Sequence, residues 1–352
     1  MRLTNLLALS LVAVAAGGIH CSSTTPAVAP SPDGGDAAVT EPDHDAAPHD
    51  ASTPSHDSGL KETGSRVDAS RDTGSEPETG TGGNDSGQAG TWWAPGTQPL
   101  PWQWELDHEI VTSSTSDMGT GDTTYLGAAA AAPAVYDIDG FDNGATDVSA
   151  LHALGKKVIC YIEVGAAENY RPDYGQFAAA DLGSTEQGYP DEKYININSP
   201  AVVVIMKARV GMCSTKGFDG IEPDIDDSYT DDTGFTITEA QNVAYLATLS
   251  DYAHSLGIAW GLKNGGDGGD PGTFVPDMLP HVDFAVVEEP FFLDTIWFFH
   301  PLLYNAGKAL FVAEYTNDTS SSSTFCPKAI ADHTNAALFD VNLDGMVRAP
   351  CH

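Results

Sequence analysis

The chain has 352 residues, with 50 acidic side chains against 15 lysines and arginines, for a formal net charge of −35. A surface this acidic repels phosphate backbones and anionic membrane faces, which argues against nucleic acid as a partner and favours polycations. The cysteines form neither a CxxC pair nor a Cys/His zinc spacing, so no metal site and no cofactor is expected.

Residues 1–20 open with Arg2, carry an apolar run from Leu6 to Ala16 and end in small residues before Cys21. The run is too short to span a bilayer and reads as a signal peptide. A cysteine directly after it predicts a lipoprotein whose Cys21 is acylated after cleavage. Gly18 and His20 stand where such signals usually carry Leu and a small residue, and the alternative is ordinary secretion. The expected location is therefore the cell envelope, at the outer membrane, or outside the cell, with membrane contact only through the lipid at Cys21.

Residues 21–91 are dominated by Ser, Thr, Pro, Gly, Ala and Asp, and Val28, Val39, Leu60 and Val67 are the only large aliphatics. Such a stretch cannot bury enough apolar surface to offset chain entropy, and it is predicted to be a disordered tether. His44, His49 and His56 read there as polar filler.

Residues 92–352 form the expected folded domain. They retain 37 of the acidic residues against 11 basic ones. Strand-like runs recur at 102–106, 134–138, 157–162, 218–221, 258–262, 284–287, 309–313 and 337–341. Most are continuously apolar, as parallel strands buried on both faces are. Helical patterns lie between several of them. The clearest covers 239–256, with Thr238 and Gln241 as a capping box and Gly257 as the stop. Another begins at Pro200 after Ser199 and runs toward Cys213, and a shorter one precedes Gly155. Eight strands alternating with helices in about 260 residues predict an α/β (β/α)8 barrel. The first connection, 107–132, is rich in Gly, Thr and Ala and shows no helical period, so the barrel is expected to be irregular there.

Four cysteines remain in this domain. Export makes disulfides plausible, and three pairings are possible. Cys326 with Cys351 ties the C-terminus to the last helix, which leaves Cys160 with Cys213.

The strand ends are dense in carboxylates and aromatics. The first strand offers Trp102 and Trp104, the second Asp137 and Asp139, and the third Tyr161, leading to Glu168 and Arg171. The fourth ends in Glu222, Asp224 and Asp226, the fifth in Lys263 and Asn264, the sixth in Glu288 and Glu289, and the seventh in Glu314 and Tyr315. Like charges packed at a strand end repel and are costly to desolvate, so such a cluster implies a ligand, and in a parallel barrel the C-terminal strand ends are where chemistry sits. Two carboxylates from different strands flanking one bond are what glycoside hydrolysis needs. Asp219 and Asp142 read instead as turn or cap residues. The run from Asp340 to Gly345 imitates the start of an EF-hand loop, but the twelfth position is Cys351 where a bidentate Glu is required.

The ordered pieces Trp102-Gln103-Trp104, Tyr136-Asp137-Ile138-Asp139, Val158-Ile159-Cys160-Tyr161-Ile162, Gly217 through Asp224, Gly261-Leu262-Lys263-Asn264 and Val287-Glu288-Glu289 resemble glycoside hydrolase family 114 over about residues 102–351. That family's type activity is endo-α-1,4-polygalactosaminidase. The resemblance implies a barrel enzyme acting on a cationic amino-sugar polysaccharide, with Asp224 and Glu288 as its carboxylate pair and a retaining mechanism. Trp102, Trp104, Tyr161 and Tyr315 are expected to form a sugar platform. Asp137, Asp139 and Asp226 would hold hydroxyls or ammonium groups, with Glu168, Arg171, Lys263, Asn264 and Glu289 beside them. Arg171 and Lys263 are expected to favour an ionised Asp224. Ile225, where the family often has Asn, and Pro290, where it often has Cys, depart from the pattern. A monomer is expected. The competing reading is a catalytically inactive carbohydrate-binding surface lipoprotein.

Overall fold

The computed structural model describes residues 91–265, 272–317 and 321–352. The expected signal peptide, Cys21 and all of the tether except Thr91 lie outside the described residues.

Eight parallel strands form one sheet in the order of the chain. They are β1 (Trp102–Glu105), β2 (Val135–Asp139), β3 (Lys157–Glu163), β7 (Gly220–Asp224), β8 (Ala259–Lys263), β9 (Phe284–Glu288), β10 (Ala309–Tyr315) and β11 (Asn335–Phe339), and a ninth, β12 (Arg348–Pro350), pairs antiparallel with β11. The loop after β11 returns to β1, where the Leu343 carbonyl accepts the Leu106 N–H at 2.9 Å and Arg348 Nε donates to the Trp102 carbonyl at 2.6 Å. The result is a (β/α)8 barrel of the TIM type. Helices α1 (Ala145–Ala153), α2 (Pro200–Lys216), α3 (Glu239–Ser255), α4 (Phe274–Met278), α5 (Ile296–Asn305) and α6 (Ser322–Ala331) connect the strands. The first connection holds turns and one isolated bridge, Thr123 to Ala129, and no helix.

The helix ends follow local chemistry. Thr238 Oγ1 accepts the Gln241 N–H while Gln241 Oε1 accepts the Thr238 N–H, the reciprocal cap that starts α3. Gly217 ends α2 at φ 94°, a left-handed conformation open to glycine without a Cβ penalty.

Two cores are separated by the sheet. Outward strand residues such as Ile138, Val158, Cys160 and Ile221 pack under the helices with Leu151, Met206, Leu246 and Leu249. Inward residues fill the barrel itself: Trp102, Trp104, Val135, Ile159, Tyr161, Phe284, Val286, Phe311, Tyr315 and Phe339. Gly261 leaves room in this interior, since a Cβ there would stand 2.7 Å from the Phe284 ring. Cys160 is bonded to Cys213, joining β3 to α2, and Cys326 to Cys351, joining α6 to the C-terminus.

Two features exceed the sequence-based expectation. The fourth barrel strand runs to Asp224 rather than stopping at Ile221, because β3 extends alongside it with Tyr161 opposite Glu222 and Glu163 opposite Asp224. A small antiparallel sheet, β4 (Ala166–Glu168), β5 (Leu182–Glu186) and β6 (Tyr189–Ile195), is inserted after β3. β4 has only three residues, and β5 and β6 are mostly polar, so no clear apolar alternation marks them.

Candidate active site

The inward face at the C-terminal end of the barrel carries charge instead of hydrocarbon. Successive inward positions lie two residues apart, so Glu222 and Asp224 on β7 both project into the barrel, as do Trp104 on β1, Asp137 on β2, Tyr161 on β3, Lys263 on β8, Glu288 on β9 and Tyr315 on β10. Lys263 is the hub. Its ammonium lies 3.0 Å from Glu222 Oε1, 3.4 Å from Asp224 Oδ1 and 3.3 Å from Glu288 Oε2. It also stands 4.7 Å from the centre of the Trp104 ring.

Each member of the proposed carboxylate pair has its own phenol. Tyr161 Oη donates to Asp224 Oδ2 at 2.6 Å, and Tyr315 Oη donates to Glu288 Oε1. Asn264 holds Glu288 from both sides. Its Nδ2 donates to Glu288 Oε2 at 2.9 Å, and its Oδ1 accepts the Glu288 N–H at 2.8 Å. Trp104 Nε1 donates to Glu222 Oε2 at 3.1 Å. Lys263 N–H donates to Asp226 Oδ2 at 2.9 Å, which fixes the end of β8 against the loop after β7. Glu288 is 8% exposed and Asp224 1%, so Glu288 is the more accessible of the two.

Burial dominates the protonation of this cluster. It raises Asp137 well above the usual carboxylate range, and the Glu222 charge adds to the rise. As a carboxylate Asp137 would find no hydrogen-bond donor among the described residues, whereas protonated it donates to Glu222. Asp226 is likewise raised well above its ordinary value by burial, then by Asp227. Burial works against the Lys263 charge, but Asp224, Glu222 and Glu288 outweigh it and hold the ammonium well above its ordinary value. Burial also raises the Tyr161 phenol, with Asp224 adding to it, so Tyr161 remains a donor.

The structure brings Asp224, Glu288, Asp137, Tyr161, Lys263, Asn264, Tyr315, Trp104 and Asp226 together, and it adds Glu222, the carboxylate two residues before Asp224 on β7. Trp102 is placed differently. It is 1% exposed on the barrel floor, packed against Phe311 and Phe339, and is a core side chain rather than part of a pocket wall. Asp139, Glu168 and Arg171 form a separate buried network. Arg171 pairs with both oxygens of Asp139 and with Glu168 Oε1 at 2.7 Å, and Arg209 of α2 pairs with Glu168 Oε2 at 2.9 Å and Asp173 Oδ2 at 2.8 Å. The Arg171 guanidinium is thus committed to Asp139 and Glu168. Asp219 accepts the Val158 N–H at 2.9 Å and pairs with Lys157, a structural role at the opposite end of β7. Asp340 and Asp344 cap the turn N–H groups of Asn342, Leu343 and Met346.

Three residues just past the strand ends share an unusual backbone. Ile225, Asn264 and Glu289 follow Asp224, Lys263 and Glu288 and have φ of 53°, 47° and 54°. Left-handed backbone is tolerated by Asn and strained for a β-branched residue. Ile225 is held there by burial against Ala166 and Tyr194 and by the close passage of Gly165, where a Cβ would stand 2.0 Å from the Ile225 carbonyl oxygen.

A (β/α)8 barrel whose C-terminal mouth gathers carboxylates from β7 and β9, on either side of β8, has the arrangement that glycoside hydrolysis requires. The model of glycoside-hydrolase family GH114 matches residues 83–351, and the chain belongs to that family. Among solved structures, Ega3 of Aspergillus fumigatus in complex with galactosamine is similar at 29% identity and a TM-score of 0.62, over 72% of this chain and 96% of that one. The glycoside hydrolase domain of PelA from Pseudomonas aeruginosa shares the fold at 11% identity and a TM-score of 0.51, over 70% of this chain and 96% of that one. No curated protein sequence matches the chain.

Proposed function

We propose that this protein hydrolyses α-1,4-linked, galactosamine-containing polysaccharide with retention of configuration, using Asp224 as nucleophile and Glu288 as acid and base. The observation that carries this reading is the single ammonium of Lys263 seated between the two carboxylates. Its distances to Asp224 Oδ1 and Glu288 Oε2 cap the separation of those oxygens at 6.7 Å. Retaining pairs stand about 5–5.5 Å apart, a spacing that one shared ammonium accommodates.

In the first step a lone pair of the Asp224 carboxylate attacks the anomeric carbon. The bond from that carbon to the glycosidic oxygen breaks, and the leaving oxygen takes the proton of Glu288. In the second step Glu288 removes a proton from water, the hydroxide adds to the anomeric carbon, and the ester bond to Asp224 breaks. Asp224 is regenerated as a carboxylate and Glu288 as an acid. Tyr161 and Tyr315 fix the two carboxyl groups by hydrogen bonds, and Lys263 offsets the charge that shifts between them.

The preference for a cationic polymer rests on three supports: the excess of 37 acidic over 11 basic residues in 92–352, the acidic site, and the galactosamine-bound relative. Export and anchoring through Cys21 rest on residues 1–21 of the sequence. The test is hydrolysis of purified α-1,4-galactosaminogalactan by wild type, Asp224→Asn and Glu288→Gln, with products read by mass spectrometry. Oligosaccharides from the wild type alone are expected. Turnover surviving in either variant would remove that residue from its role, and binding without cleavage by the wild type would favour a carbohydrate-binding protein.

A further inference from the structure

Glu105, His108 and Asp117 come together outside the barrel, at the junction of β1 and the helix-free first connection. Glu105 follows Trp104 on β1, so its side chain points away from the barrel interior and under the loop. It is fully buried, and its Oε2 has no hydrogen-bond partner among the described residues. Its Oε1 accepts the His108 N–H at 3.0 Å and lies 3.2 Å from His108 Nδ1. His108 Nε2 lies 3.4 Å from Asp117 Oδ2, and Asp117 is itself 4% exposed. One ligand atom from each of the three residues falls within 4.8 Å of the others. We propose that this triad is a zinc site that fastens the first connection to the barrel.

The chemistry favours zinc over calcium. One imidazole and two carboxylates are a mixed nitrogen and oxygen set with three protein ligands, whereas calcium takes about 6–8 oxygens. Ligand atoms at about 2.0–2.2 Å from a tetrahedral ion stand about 3.3–3.6 Å from each other; with a single His108 nitrogen as ligand the three atoms here lie within 4.8 Å, and an ion would draw them closer. His108 keeps 40% of its side chain exposed, which leaves a path for the ion and a place for a water ligand. The location matters as much as the ligands. The first connection has no helix to pack on the sheet, and it meets the loop after β11 here: the Leu343 carbonyl accepts the Leu106 N–H at 2.9 Å, and Gly345 passes within 3.2 Å, at its would-be Cβ, of the Asp117 Cα. An ion at the triad ties β1 to that loop junction. Cysteine and histidine spacings do not reveal such a site, because two of its ligands are carboxylates and the fold assembles it.

The test uses the full-length chain, stripped with a chelator and titrated with zinc by calorimetry and thermal unfolding, with cobalt as an optical probe. The wild type is expected to gain about 5 °C in Tm at saturating zinc and to give the visible absorption of tetrahedral cobalt. His108→Ala and Glu105→Gln are expected to lose the Tm gain and the cobalt spectrum, while hydrolytic activity of His108→Ala is unchanged. Should Glu105→Gln fail to fold, His108→Ala decides, since that side chain is partly exposed. A zinc response equal in wild type and His108→Ala assigns the ion to other histidines and overturns the proposal, as does no response in the wild type.

Discussion

Lys263 and Glu222 form an ion pair at 3.0 Å in which neither side chain is more than 2% exposed. Buried pairs of this kind are weak evidence for stability when intact, but removing one partner leaves an uncompensated charge and costs about 3–5 kcal/mol. Here one ammonium serves three carboxylates. Lys263→Met is therefore expected to lower the denaturant midpoint sharply and to abolish measurable hydrolysis. A Lys263→Met variant as stable as the wild type would show that the cluster takes up protons at no cost, and Lys263 would not be its organiser.

Tyr161 and Tyr315 bind carboxylates rather than presenting open faces to a sugar. Hydrogen bonds to charged groups contribute about 1.5–3 kcal/mol, so Tyr161→Phe and Tyr315→Phe are each expected to reduce kcat by about 10- to 100-fold with KM little changed. Steady-state kinetics on the polymer separate this from a platform role. A platform residue changed to Phe keeps its ring, and kcat would then stay near the wild-type value.

The passage of Gly165 over Ile225 sets the loop that follows Asp224. Because a Cβ at 165 would stand 2.0 Å from a backbone oxygen, no side-chain movement can relieve the clash. Gly165→Ala is expected to destabilise the fold by about 3 kcal/mol or more and to displace Asp224. Urea unfolding and activity measure both effects, and a variant with wild-type values would show that the two segments lie farther apart.

Asp137, Asp226 and Glu163 are all raised well above their ordinary values, chiefly by burial. The folded state therefore holds protons that the unfolded chain has already released above about pH 4. With more protons bound in the native state, stability falls as pH rises from the unfolded value toward the folded one. Tm is expected to be higher at pH 5 than at pH 8. Calorimetry across that range checks the sign, and a Tm that climbs toward pH 8 would contradict it.

Much of the fold was legible because strands buried on both faces write apolar runs, which mark most of the eight barrel strands continuously. That Glu222 and Asp224 share one inward face became clear only from the extension of the strand beside β3. Other features were not legible for physical reasons. An aromatic residue near a strand end reads the same whether its ring meets a sugar or its hydroxyl meets a carboxylate, so the roles of Tyr161 and Tyr315 needed the register between strands. Trp102 and Trp104 share a face, and only their depth in the barrel separates a core residue from a partner of Glu222. Arg209 sits in the middle of a helix, and nothing local predicts that it neutralises Glu168 from 41 residues away. The left-handed backbone at Ile225 gives a reason for the Asn often found at that position in the family, and burial gives the reason Ile is accommodated here.

The most direct test of the account is the anomeric configuration of the first product, followed by proton NMR during hydrolysis of an α-linked galactosamine oligomer. Double displacement by Asp224 and Glu288, which share the Lys263 ammonium, predicts that the α anomer appears first and equilibrates later. Initial release of the β anomer would mean single displacement by water, and Asp224 would not be the nucleophile.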